Sequence, residues 1–407
     1  MMKLFVYQPV RWDRKAATSW QTGRQEEALF LTLATLDRME TPDADAFLQP
    51  AFYAFQMNRF AESAVLLEKA VGFFPDHPMV RLGLGNSYSR ARQHRNAVPH
   101  LDAFIAMGLH DMSAYDALAH SLSEIGDLLR AKVAGTTALT LKDLASKGRH
   151  GTPSLKRDVQ PVGKKNVIAF SLFGSGTKYL RGALHNVLAA RTIYPDWTCR
   201  FYADDSVDHA LRSVLAEEGA EVVMDEGGNN DDRWRLSRRF LVNDDPDVGY
   251  FLCRDADSVV NDREKAAVAQ WLGSGLPFHV MRDWYSHTDP MLGGLWGGIA
   301  GVFPDMDLTL DRFLTAKPIT TAWDQFFLRD QVWPAIRDDV MVHDRCFESH
   351  AAHPFPTQTP LGREHVGQNE FASDEAAQAS LLEAYGDRIP ALGLRERSLN
   401  LKVEATP

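Results

Sequence analysis

At 407 residues the chain is long for a single hydrophobic core, so two domains are expected. Hydrophobic residues make up 45% and charged residues 24%, as in an ordinary globular protein. The net charge of -10 excludes a general nucleic-acid binder, which needs a basic surface, but not a local basic pocket for a diphosphate.

Cys199, Cys253 and Cys346 are odd in number and form no CxxC pair, which fits a reducing compartment better than a disulfide framework. No apolar run reaches the roughly 18 residues that span a bilayer. The stretch Met1–Val10 is too short for a signal peptide and is followed by charges. The expected location is cytoplasmic, with peripheral contact at the inner membrane face left open.

The first half reads as helical repeats. Ala51, Gly85 and Ala119 are small and stand 34 residues apart. The same step relates Phe60, His94 and Leu128, then Ser63, Ala97 and Ala131, then Ala70, Phe104 and Ala138. A period of about 34 with recurring small residues marks tetratricopeptide-like helix pairs, because small side chains let antiparallel helices approach closely. Leu84-Gly85-Asn86-Ser87-Tyr88 is the best-formed repeat signature. Phe74-Pro75-Asp76-His77-Pro78 is a helix stop. Phe104 and Leu109 depart from the pattern, the first where a small residue is usual and the second where a proline would end the repeat. About three repeats are expected between Asp45 and Asp143, with Arg24–Arg38 as an extra or capping helix.

From Ser146 the chain turns polar and rich in glycine, proline and basic residues. This divides it into a helical domain over residues 1–150, a linker over 151–165 and an α/β domain with a C-terminal tail over 166–407. Val167–Phe173 is strand-like and ends at Gly174-Ser175-Gly176, too little of a glycine pattern for a dinucleotide loop. A helix is expected over Tyr179–Thr192, a strand over Thr198–Ala203, a helix over Val207–Glu218 and a strand over Glu221–Met224. Arg233–Asn243 reads as one helix and Tyr250–Arg254 as a buried strand. Such alternation implies a parallel-type sheet with ligand chemistry at the carboxyl ends of its strands.

Asp255 and Asp257 follow the apolar strand Tyr250–Arg254. Residues i and i+2 of an extended chain point the same way, roughly 7 Å apart. Two carboxylates so placed repel unless a cation joins them, and a hard divalent ion that also grips a diphosphate would do so. A solvated turn is the alternative. His279, Arg282 and Asp283 follow Leu276-Pro277-Phe278 and sit at another strand end. Arg282 offers a two-pronged grip on phosphate or carboxylate, and Asp283 a base toward a hydroxyl. Gly293-Gly294 and Gly297-Gly298 flank Trp296: either backbone approaches a sugar there, or a core tryptophan braces a tight turn. Asp324 opens an apolar segment, as a helix N-cap or as a site carboxylate.

The region Val167–His343 resembles bacterial glycosyltransferases of the GT-A type. The pieces that carry the resemblance begin with Phe170–Gly174, Tyr179–Asn186 and Ile193–Trp197. Arg239-Phe240-Leu241, Arg254–Ser258 with Arg263-Glu264, and Trp271 follow. Phe278–Asp283, Gly293–Gly297, Asp324-Gln325 and His343-Asp344 complete the set. It covers about half the chain and excludes the repeats. One departure is Trp284-Tyr285, where the family pattern has a His-Pro pair; His287 follows.

The resemblance implies a GT-A-like, Rossmann-type mixed sheet that takes a nucleoside diphosphate sugar as donor. Asp255, Asp257 and His343 would hold a divalent metal, Mn²⁺ before Mg²⁺ because imidazole joins the carboxylates. Asp283 and Asp324 would be the catalytic candidates. Ser171, Arg254, His279, Arg282, Gly293, Gly294 and Gln325 would contact the nucleotide sugar. Two residues keep a structural alternative: His343 as a surface histidine and Arg254 as an internal ion pair with Glu264. The expected activity is sugar transfer to a glycan, lipid or protein, with the repeats binding acceptor or protein partner. The rivals are a non-enzymatic scaffold with an inactive transferase-like domain, and a nucleotidyltransferase.

Overall fold

A computed structural model describes residues 4–147, 152–225, 231–316, 323–349, 351–368 and 375–393. The chain forms two compact units. The first comprises Met1–Ala145 with the short segments Tyr285–Thr288 and Cys346–Ser349; the second holds the remainder.

The first unit is a series of helix pairs: α1 (Arg14–Gln21) with α2 (Gln25–Asp37), and α3 (Ala44–Gln56) with α4 (Phe60–Phe73). Next come α5 (Pro78–Arg90) with α6 (His94–Ala106), and α7 (Met112–Glu124) with α8 (Leu128–Ser146). From α3 onward equivalent helices start 34 residues apart, at 44, 78 and 112 and at 60, 94 and 128. The period of the sequence is therefore the period of the fold.

The turn inside each pair is also the same. Gly23, Asn58, Arg92 and Gly126 all have positive φ, between 60° and 89°. The next residue's N–H returns to the carbonyl five residues back: Arg24 to Ser19, Arg59 to Ala54, Gln93 to Tyr88 and Asp127 to Leu122. This Schellman closure satisfies the last carbonyls of the first helix and reverses the chain. Since α1 and α2 share it, the segment expected to be an extra or capping helix is the second half of a further pair.

Asp43 and Asp111 cap α3 and α7 through their side chains, and Pro78 opens α5 at a position where no N–H is needed. Ala51, Gly85 and Ala119 are the close-approach points. Ala51 and Ala119 are buried, and a Cβ added at Gly85 would lie 2.6 Å from Leu101 Cγ and Cδ2. Hydroxyls tie successive pairs together: Ser63 Oγ meets Ser87 Oγ at 2.9 Å, and Ser121 Oγ donates to Ser89 Oγ at 3.0 Å. The N-terminal segment is anchored within this unit. The Phe5 N–H donates to the His110 carbonyl, and the Val10 and Arg11 N–H groups donate to the Asp45 carboxylate.

The second unit is built on a seven-stranded sheet. Its strands are β1 (Lys165–Leu172), β2 (Trp197–Ala203), β3 (Glu221–Met224), β4 (Val248–Arg254), β5 (Phe278–Arg282), β6 (Trp296–Ile299) and β7 (Val340–Asp344). The order is β3-β2-β1-β4-β6-β5-β7. All pairings are parallel except those of β6, which runs antiparallel to β4 and β5. The sheet is thus mixed rather than purely parallel.

The two-residue period of β1 divides the core. Ile168, Phe170 and Leu172 face one side with α9 (Thr177–Ile193), α10 (His209–Glu217) and α12 (Asp262–Leu272). Val167 and Ala169 face the other, with α13 (Met306–Ala316), α14 (Trp323–Phe327) and α15 (Trp333–Ile336). Burial on both faces is why β1 and β4 read as near-continuous apolar runs. The helix expected over Arg233–Asn243 is in fact α11 (Asp232–Ser237) followed by a 3-10 turn, Arg238–Asp244. Ser237 Oγ donates back to the carbonyls of Arg233 and Trp234, a bond that competes with continued α-helix.

Two segments expected to be linker and tail are partly integrated. Leu155 and Val159 pack on the core, and Arg157 forms a two-pronged ion pair with Asp339. Near the C-terminus, Leu381 of α16 (Glu375–Tyr385), Ile389 and Leu392 join the core on the other face of the sheet, with α9. Residues 148–151 of the boundary and 394–407 of the tail lie outside the described residues.

Gly85→Ala and Gly72→Ala separate packing from helix propensity, because a Cβ at Gly72 meets nothing within 4 Å. The first is expected to destabilise the chain by about 1–3 kcal/mol through overpacking. The second is expected to stabilise it by up to about 1 kcal/mol through propensity. Denaturant unfolding of both variants checks this, and equal effects would remove Gly85 as a close-approach point.

Candidate functional site

At the carboxyl end of β4 the chain leaves the sheet as Asp255-Ala256-Asp257. A cavity of about 410 Å³ opens there, lined by Ser171, Phe173, Tyr179, Leu236, Arg239, Asp255, Ala256, Asp257 and Asp324. Two glycines shape its approach. A Cβ at Gly182 of α9 would lie 2.1 Å from the Ala256 carbonyl oxygen, so only glycine lets that helix sit against the turn. A Cβ at Gly294 would lie 2.2 Å from Asp255 Oδ2.

Arg239 organises the floor. Its side chain is 2% exposed; Nη1 donates to Asp255 Oδ1 at 2.6 Å and Nη2 to Asp324 Oδ2 at 3.2 Å. Its backbone N–H donates to Ser171 Oγ, which in turn donates to the Leu236 carbonyl, so the end of β1 is tied to the helix-to-turn junction. Among the described residues, the buried Arg239 Nε has no hydrogen-bond partner. Gly293 belongs to this arrangement, since a Cβ there would meet Asp324 Oδ2 at 2.3 Å and Arg239 Nη2 at 2.5 Å. Burial raises the Asp324 carboxyl above its ordinary pKa, the Arg239 guanidinium opposes that rise, and nearby Asp255 adds to it.

Asp257 has its own cation. Lys178 Nζ, from the first turn of α9, donates to Asp257 Oδ2 at 2.8 Å and lies 4.3 Å from the centroid of the Tyr179 ring. Burial works against the ammonium, but its hydrogen bonds to Asp257 and Tyr179 prevail and raise Lys178 to about 12.

Of the residues singled out in the sequence, Ser171, Asp255, Asp257 and Asp324 line this cavity, and Gly293 and Gly294 press on its carboxylates. Gln325 follows Asp324 in α14, half-buried and outside the lining. Asp324 lies inside the first turn of that short helix.

The others are engaged elsewhere. Arg254 turns into the core and pairs with Glu264 at 3.1 Å, the structural alternative raised by the sequence. Arg282 pairs with Asp344 at 2.7 Å and donates to the Pro290 carbonyl. Asp283 is fully buried and held by both prongs of Arg263 at 2.7 and 2.8 Å, with the Val366 N–H on Oδ2. Its oxygens are occupied, which does not suit an open base.

His343 is buried rather than on the surface. Its Nδ1 shares a 2.7 Å hydrogen bond with His279 Nε2, and its Nε2 lies 3.0 Å from Gln270 Oε1. Burial, with His353 and Arg263 nearby, lowers His343 to about 4, and burial drives His279 well below its ordinary value. Both rings are neutral near pH 7, and both nitrogens of His343 are engaged in this chain rather than directed at the aspartates. Trp296 is fully buried in β6 against Phe240 and Phe251, so it is a core residue rather than a sugar platform.

Arg239 and Lys178 carry site contacts that sequence reasoning did not assign. Arg239 stood within one piece of the family resemblance, which was its only signal; Lys178 had none. Among the described residues no group of three or more His, Cys, Asp or Glu is arranged to hold a metal, and no helix is long and apolar enough to cross a membrane.

No protein-family model matches the chain, and neither does any curated protein. Solved structures give partial likenesses. MamA from Desulfovibrio magneticus RS-1 is 22% identical at a TM-score of 0.29, over 31% of this chain and 71% of that one. MamA MSR-1 is 22% identical at 0.29, over 33% and 75%. A mutant O-GlcNAc transferase from Thermobaculum terrenum is 15% identical at 0.33, over 54% of this chain and 41% of that one. TM-scores of this size establish no shared fold. The helical repeats rest on the 34-residue recurrence of helices and turns in the chain itself.

Replacing Arg239 by Met strands a buried carboxylate, with an expected cost of about 3–5 kcal/mol. Arg239→Met with Asp324→Asn restores part of it. A carboxyl with a raised folded-state pKa holds its proton more tightly when folded, so the penalty of the single variant shrinks as pH falls from 7 to 5. Urea unfolding at both pH values checks this. A pH-independent penalty, unrelieved in the double variant, would show that the pairing with Asp324 is not what Arg239 contributes.

Proposed function

We propose that the second unit is a metal-dependent glycosyltransferase of the GT-A type, taking a nucleoside diphosphate sugar and passing the sugar to a glycan, lipid or protein acceptor. One observation carries the reading: Asp255 and Asp257 leave the end of a buried parallel strand into a cavity that also holds a buried, fixed guanidinium. Ligand chemistry in open α/β sheets belongs at that edge. The reversal of strand direction at β6 is in keeping with the mixed sheet implied by the family resemblance.

The donor set suits a hard divalent ion. Asp255 presents Oδ2 toward the Gly294 backbone while Oδ1 is held by Arg239, and Asp257 faces the same cavity. Mg²⁺ and Mn²⁺ are commonly held by one or two carboxylates plus substrate phosphates, so a third protein ligand is not required. With His343 paired to His279 and Gln270, the reason to prefer Mn²⁺ over Mg²⁺ weakens, and both fit. The bound ion would neutralise charge on the departing diphosphate.

The chain's own contribution is positioning. Arg239 fixes Asp255 and Asp324 in one geometry before substrate arrives, so little reorganisation is left to the reaction. Ser171 holds the Arg239 backbone, and Gly293 lets its own backbone pack directly on the Asp324 carboxylate and the Arg239 guanidinium. Asp324 is the carboxylate facing the cavity with a raised pKa, which suits a contact to a sugar hydroxyl or to an incoming acceptor proton. The repeats would hold the acceptor or a protein partner.

A thermal-shift panel of nucleoside diphosphates and their sugars, with and without Mn²⁺ or Mg²⁺, tests the reading. A ligand at about a hundredfold its Kd adds about 2.7 kcal/mol of stability. One nucleotide series is expected to raise Tm by several degrees in a metal-dependent way, and Asp257→Ala to abolish the rise. A folded chain that responds to no nucleotide would move the assignment to a repeat scaffold with an inactive domain.

A further inference from the structure

Each aspartate of the motif is already matched to a protein cation, and the two cations differ in kind. Arg239 is 2% exposed and locked between Asp255 and Asp324. Lys178 is 38% exposed in its side chain and sits at the start of α9, on a flexible four-carbon stem. Its ammonium lies 2.8 Å from Asp257 Oδ2, within the coordination space that a divalent ion on that oxygen would use. An ammonium and a metal ion cannot share that oxygen without strong repulsion.

We propose that Lys178 is a tethered gate on the metal site: it occupies Asp257 until a diphosphate enters the cavity, then transfers to the phosphate oxygens and releases Asp257 to the metal. This rests on the reading of the cavity as a metal-diphosphate site. It makes metal and diphosphate bind cooperatively, each improving the other's affinity by the same factor. It also gives a reason why no three-ligand protein cluster is found among the described residues: the remaining ligands come with the diphosphate. Lys178 is a binding residue in this scheme, exchanging Asp257 for the phosphate oxygens.

Mn²⁺ binding to the full chain, read by electron paramagnetic resonance of the free ion, tests the gate without any activity assay. Mn²⁺ alone is expected to bind Lys178→Gln at least about tenfold more tightly than the unaltered chain, while Lys178→Arg keeps the block. Adding the nucleoside diphosphate that gives the largest thermal shift should tighten Mn²⁺ binding to the unaltered chain far more than to Lys178→Gln. Equal Mn²⁺ affinity of the unaltered chain and Lys178→Gln, or no Mn²⁺ binding by either, would overturn the proposal. Failure of the underlying reading looks different: no nucleotide then stabilises the protein, whatever Mn²⁺ does at Asp257. Unfolding curves of the two variants matching the unaltered chain ensure that affinity, and not folding, is compared.

Discussion

The buried guanidinium of Arg239 is the constraint on which the candidate site depends. Two carboxylates, Asp255 and Asp324, come from distant parts of the chain and meet the same side chain. Without a cation between them, burial and mutual repulsion would drive one to take up a proton or the two to separate. The guanidinium fixes both at once because its donors lie in a rigid plane. It is itself fixed, through the Arg239 N–H on Ser171 and through the 3-10 turn that carries it. Replacing such a network by apolar residues is often neutral or stabilising in proteins, so stability alone does not account for keeping it.

The surroundings follow from that placement. β4 is buried on both faces and ends where Asp255 must face the cavity, so the strand delivers the carboxylate to a defined edge. Gly293 and Gly294 have no side chain because the carboxylates and the guanidinium already fill the space that a Cβ would need. Gly182 does the same from the other side, letting α9 close on the Ala256 carbonyl and bringing Lys178 to Asp257. Gly182 and the adjacent pair Gly293 and Gly294, from distant parts of the chain, answer to one crowded site.

Much of this architecture is legible in the residues themselves. The 34-residue step sets helix pairs, and the apolar runs of β1 and β4 are read correctly because burial on both sheet faces leaves a continuous signal. Asp255 and Asp257 stand out because a polar pair after such a run has a physical meaning. What is not legible is pairing. Arg233, Arg235, Arg238 and Arg239 stand close together in the chain, and which one enters the core depends on where the α-helix gives way to the 3-10 turn. Asp283 and His343 have the right chemistry for a site, yet Arg263 and the pair His279 and Gln270 engage them first. Arg254 likewise belongs to Glu264. A sequence shows which side chains could act, whereas partner choice is settled by tertiary register.

The most direct measurement is a crystal of the full chain grown with Mn²⁺ and the stabilising nucleoside diphosphate, with diffraction collected at the manganese absorption edge. An anomalous peak is expected in contact with Asp255 and Asp257, with the diphosphate in the cavity floored by Arg239. Manganese or nucleotide bound elsewhere, with the Arg239, Asp255 and Asp324 network undisturbed and the cavity empty at saturating ligand, would contradict it.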